Sequence, residues 1–98
     1  MFVVIAKLKV KPDLREPFVE LLTNHVRLSR AEGRCLTFDV CNSTESDLEF
    51  LYYEDYPSEA LFDDHINSKR VQEHLHRSAE MLDGDVWFAK WNRISDGW

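Results

Sequence analysis

Four histidines and one carboxylate set in an aromatic strand are the residues of this chain best suited to moving protons. His25 follows Phe18, Leu21 and Leu22 on the apolar stripe of one helical segment, and His65 follows Leu61 on that of another. An imidazole titrates near neutrality, so two of them converging from helices packed on one sheet would form an acid–base pair. The competing reading is a hydrogen-bonded structural histidine at each position. Glu54 lies between aromatic residues, sharing a strand face with Phe50 and Tyr52. Burial there raises a carboxyl pKa and makes a base that works near pH 7; a salt bridge at the strand end is the alternative.

Other groups carry weaker signals. Asp39, on the strand face opposite Phe38, repeats the Glu54 pattern less clearly. Tyr52, Tyr53, Trp87 and Trp91 are candidates for an aromatic pocket wall, or else for filling a core or an interface. His74 and His76 are two apart on a helix, so they point in different directions. With Glu73 and Arg77 they read as a solvated face. Lys7, Lys9 and Lys11 alternate along one strand and read as a solvated or pocket-lining face. No glycine-rich nucleotide loop, His-Glu-x-x-His or Cys-x-x-Cys occurs, so the expected chemistry uses side chains, substrate and dioxygen, with no cofactor or metal.

Two cysteines, Cys35 and Cys41, would lie roughly 20 Å apart on one strand, beyond disulfide reach. Free thiols, and an apolar start (Met1 to Ala6) that reads as a strand and not as a signal peptide, give a cytoplasmic expectation. Asn42-Ser43-Thr44 is then a turn. The net charge of -6 argues against a nucleic-acid partner. A mean hydropathy of -0.42 argues against a membrane one.

The elements that position these groups follow from periodicity. Phe2 to Val10 alternates, with Val4, Ala6, Leu8 and Val10 on one face, as a strand does. Asp13 and Glu16 predict a capped helix start, and Gly33 a left-handed end. Cys35 to Cys41 and Leu48 to Tyr56 predict a hairpin. Pro57-Ser58 opens a second helical region, with a stripe of Val71, Leu75, Ala79 and Leu82. Asn67-Ser68 marks a kink or break in that region, and Asp83-Gly84 its end. Asp85 to Asn92 predicts a fourth strand. The order β-α-β-β-α-β is the ferredoxin-like α+β arrangement, with both helical regions on one face of a four-stranded antiparallel sheet. With 98 residues the chain reads as one domain, its core spanning about 2–92 with a short tail over 93–98. The other sheet face carries Val3, Ile5, Thr37 and aromatics, and a second copy's sheet is the simplest cover.

Several segments together resemble the antibiotic biosynthesis monooxygenase-like family of dimeric α+β barrels. They are the opening strand Val3-Val4-Ile5-Ala6-Lys7-Leu8-Lys9-Val10, Glu32-Gly33 and Leu36-Thr37-Phe38-Asp39-Val40. Tyr53-Glu54-Asp55-Tyr56 and His65 after Ala60-Leu61-Phe62 complete the set. The resemblance implies a homodimer with a small-molecule substrate. Some family members oxygenate phenols, quinols or polyketides without a cofactor. Others, the isomerases of phosphorylated hydroxy-diones, are similar at Asn24-His25, eight residues before Gly33. A haem-degrading pattern fits poorly, because Lys7 or Lys9 and His65 stand where an asparagine and a tryptophan belong. The reading is thus a cofactor-free monooxygenase with His65, His25 and Glu54 as catalytic residues. Asn24, Asp39, Tyr52, Tyr53 and Trp87 would bind substrate. A proton-shuttling isomerase and a non-catalytic binding module are the alternatives.

Overall fold

The alternating strands pair in the order β2-β3-β1-β4, every neighbour antiparallel. They are β1 (Phe2–Lys9), β2 (Thr37–Asn42), β3 (Glu49–Tyr56) and β4 (Trp87–Asn92). The structure, a computed structural model, describes all residues 1–98. Register places Phe38, Glu54, Val4 and Lys90 in one row across the sheet, and Val40, Tyr52, Ala6 and Phe88 in the next. These rows face the helices. Thr37, Asp55, Val3 and Trp91 make a row on the opposite face. The fold is therefore the ferredoxin-like α+β arrangement.

Helix α1 (Arg15–Ala31) buries Phe18, Leu22, His25 and Ser29, a stripe at helical spacing. Phe18 meets Phe50 edge-on at 5.1 Å, anchoring the helix over β3. The helix stops before Gly33, whose φ of 74° is the left-handed conformation that glycine adopts without steric cost. Its start differs from expectation. A 3-10 turn over Pro12–Leu14 leads into it, and no side chain caps it, so Asp13 does not serve as the cap. Pro17 falls in the first turn, where its missing N–H costs nothing.

The second helical region is two helices, α2 (Glu59–Ile66) and α3 (Lys69–Ala79). Ser58 Oγ accepts from the Leu61 amide, and Ser68 Oγ accepts from the Val71 amide. The expected kink at Asn67-Ser68 is thus a full break with a fresh cap. Helix α3 ends at Ala79, earlier than Asp83-Gly84. Leu82 leaves the helical stripe and bridges to Val10, prolonging the β1 edge. The buried stripe of α3 is Val71, His74 and Ser78, while Leu75 is exposed. This corrects the solvated reading of His74: the helix is rotated so that positions i, i+3 and i+7 face inward. No helix is long and apolar enough to cross a membrane.

Candidate active site

A cavity of about 640 Å³ lies between the helix-facing rows of the sheet and helices α2 and α3. Val4, Ala6, Leu8 and Phe88 form its sheet wall, and Phe62, Val71 and Leu75 its helical wall. Phe88 and Val86, both substantially exposed, flank the open side along β4. Into this apolar space project Glu54, Tyr52, His25, His65 and His74.

Glu54 sits in a central strand with Phe38 and Val4 directly beside it, so strand parity alone turns its carboxyl toward the helices. It is 6% exposed. Burial pushes its pKa up to about 7, against the opposing hydrogen bond from Tyr56. The Tyr56 hydroxyl, itself fully buried, donates to Oε1. Oε2 makes no bond within the chain, so one oxygen is tethered and the other is left for a ligand. Burial and the Glu54 charge both push the Tyr56 hydroxyl pKa upward, so this group stays a donor.

The imidazoles behave in the opposite sense. His65 Nε2 stands 3.9 Å from Glu54 Oε1, within reach of a ligand or water that touches both. The His25 and His74 rings stack face to face at 3.7 Å and 4°, and the His25 and His65 centroids are 6.0 Å apart. Burial, then the neighbouring His74, Arg70 and His65, lowers His25 to about 3. Burial and the Arg70 charge lead the lowering of His65 and His74, each to about 4. All three rings are neutral at pH 7. No three His, Cys, Asp or Glu side chains converge as metal ligands.

The structure therefore brings His25, His65, Glu54 and Tyr52 to one cavity, and places four other candidates elsewhere. Asn24 is exposed on α1, where its Oδ1 accepts from Arg27. Asp39 is exposed and paired with Arg30 at 2.9 Å. Asp39 and Tyr53 oppose each other in register on the sheet face away from the helices. Trp87 lies on that face too, half exposed beneath the Lys7 ammonium. In each strand the pleat decides this outcome: odd-numbered β3 and β4 positions turn away from the cavity.

Three residues of the site escape the sequence reading. Tyr56 was legible, being two positions after Glu54 and so on its face. His74 was legible from its spacing to Val71 and Ser78. Arg70, which donates to His25 Nδ1 at 3.1 Å from another helix, leaves no local signal at all.

Comparison with known proteins agrees with this architecture. The uncharacterized protein sll1783 of Synechocystis sp. is 30% identical over 80 residues, 82% of this chain. The chain spans only about half, 54%, of that relative's length. A crystal structure of an antibiotic biosynthesis monooxygenase superposes with a TM-score of 0.91 at 21% identity, covering 96% of this chain and 99% of the other. Rv0793 from Mycobacterium tuberculosis gives 0.89 at 25% identity, covering 98% and 97%. The family model described as antibiotic biosynthesis monooxygenase matches residues 1–77, most of the chain including both the Glu54 strand and the stacked histidines. The chain belongs to the antibiotic biosynthesis monooxygenase family.

Proposed function

We propose that this protein is a cofactor-independent monooxygenase that deprotonates a small, largely apolar phenol or quinol and delivers the resulting anion to dioxygen. The observation that carries the reading is Glu54, a cavity-facing carboxyl whose pKa of about 7 matches the working pH of a general base. Its free oxygen takes the O–H proton. The phenolate then supplies the electrons to dioxygen. One oxygen atom enters the ring, and the other leaves as water, so a phenol with a free para C–H becomes a quinone. The substrate supplies all four electrons, and no external reductant enters the balance. The apolar walls exclude water from the anion. His65, neutral and beside Glu54, orients the substrate oxygen or relays its proton.

The isomerase reading needs a grip for a phosphate. Lys90 is the one lysine or arginine lining the cavity, and it is paired with Glu59 at 3.2 Å. That balance favours an uncharged substrate.

The test is oxygen consumption with a panel of hydroquinones and naphthols, after dialysis against chelator and with no cofactor added. Turnover should survive dialysis, with kcat/KM rising through a midpoint near pH 7. Glu54→Gln should lower it by about 10²-fold or more. An equally active Glu54→Gln would overturn the reading. Tight binding without oxygen uptake would identify a binding module instead.

A further inference from the structure

We propose that Arg70 locks His25 as the neutral tautomer carrying its proton on Nε2, making His25 the hydrogen-bond donor to the substrate oxyanion. The proposal rests on Glu54 acting as the base. It adds the group that receives the charge Glu54 creates.

A guanidinium has only N–H donors. Its 3.1 Å contact from Nη1 to His25 Nδ1 therefore requires a lone pair on Nδ1, and the neutral ring must hold its proton on Nε2. Arg70 is itself over-determined. Its Nε donates to Glu32 and its Nη2 donates to Ser29 Oγ at 3.1 Å, so two inward positions of α1, His25 and Ser29, and Glu32 at the helix's C-cap hold one guanidinium. Protonating Nδ1 would set N–H against N–H. The ring plane is fixed by the parallel stack on His74 and by an edge contact to Phe38 at 5.4 Å and 83°.

His25 Nε2 is then a donor without a partner. Asp55 Oδ1 is the only sealed side-chain polar atom lacking one, so Nε2 of His25 is not sealed, and the residue lines the cavity. Chemistry makes the neutral form the useful one. An imidazolium would return a proton to the phenolate and quench it before dioxygen reacted. A neutral N–H stabilises the oxyanion while leaving it charged and electron-rich. Arg70 is a positioning residue in this scheme, acting on the substrate only through His25.

The experiment uses nitrogen-15 NMR of the histidine rings, with 4-nitrophenol as the probe because its ionised form is coloured. In the wild-type protein His25 should show an unprotonated Nδ1 and a protonated Nε2 from pH 5 to 8. Adding 4-nitrophenol should shift that Nε2 resonance as phenolate colour appears. Arg70→Met should mix the two tautomers and weaken phenolate binding by about tenfold, the scale of one hydrogen bond. Arg70→Lys, which keeps a donor, should restore part of the loss. A protonated Nδ1 in the wild-type protein would overturn the lock, even if Arg70→Met fails to fold. An Nε2 resonance unmoved by the probe, whether or not the probe binds, would overturn the donor role. Both outcomes are independent of Glu54→Gln kinetics, so failure of the base and failure of the donor are separable.

Discussion

His65 Nε2 and Glu54 Oε1 lie 3.9 Å apart in the wall of one cavity, yet burial drives their proton affinities in opposite directions. The carboxyl rises to about 7 and the imidazole falls to about 4, so their usual order is reversed. At neutral pH the exchangeable proton belongs to Glu54, and the histidine is a neutral neighbour able to donate or accept. Four predictions follow from this arrangement and from the sheet that carries it.

Tyr56→Phe should raise the Glu54 pKa further, because the hydroxyl bond favours the carboxylate and its loss favours the acid. The midpoint of the activity–pH profile, or of a carbon-13 titration of the carboxyl, should move to higher pH. Stability should fall by about 1–3 kcal/mol, since Oε1 is left buried without a donor. A midpoint that stays in place would show that the bond does not control the base.

His65→Ala should lower kcat/KM by about 10²-fold or more while the protein stays folded. If the residue is structural, the variant should instead melt earlier and keep full activity per folded molecule. Exposed His76 is the proper control, because His74 is buried against His25.

Acid should destabilise the fold through its three neutral histidines. Each binds fewer protons folded than unfolded between about 3 or 4 and the ordinary 6.5, so stability is gained as pH rises across that window. Glu54 opposes this between its ordinary 4.5 and about 7, where the folded state holds the extra proton. Three groups outweigh one. The melting temperature should climb from pH 4 toward 6.5, and His74→Gln should flatten the climb. A flat wild-type profile would contradict the burial of these rings.

We expect two copies to pack through the sheet faces that carry no helix. Val3 is buried there already, whereas Trp87 and Trp91 are 50% and 57% exposed. Asp55, 5% exposed, accepts on Oδ2 from Arg93 at 2.9 Å and from the Tyr53 hydroxyl at 3.3 Å, while its Oδ1 is sealed and unpaired. Such an interface should bury more than roughly 1,200 Å². Light scattering should give a dimer at micromolar concentration and a monomer for Trp91→Glu. A monomeric wild-type protein would sink the expectation.

The sequence carried the element order and the sheet because each strand alternates cleanly and Gly33 and Ser58 mark real helix boundaries, while the start of α1 and the division of the second helical region into two helices came only with the structure. Its failures have separate causes. Local pattern reads which residues share a face, not how a helix is rotated about its axis. Leu75 therefore passed for core while His74 passed for surface. Asp39, Tyr53 and Trp87 were assigned to the site by residue type, against the pleat that turns them to the other face. The Arg70 contact joins positions 45 residues apart and has no local trace.

The base and the groups that surround it stand on foundations of unequal stiffness. Glu54 and Tyr56 belong to a strand hydrogen-bonded on both sides, so the proton-taking atom is fixed within the sheet lattice. His65 stands on α2 and His74 on α3, two short pieces separated by the break at Asn67-Ser68. Phe62 and His65 of α2 both pack on Tyr56, at 5.4 and 5.8 Å, so a tilt of that piece reaches the carboxyl through its hydrogen-bond donor. Changes in the helices would then reshape what the cavity admits and, through the burial that raises Glu54, its acidity as well, so that selectivity and reactivity evolve together.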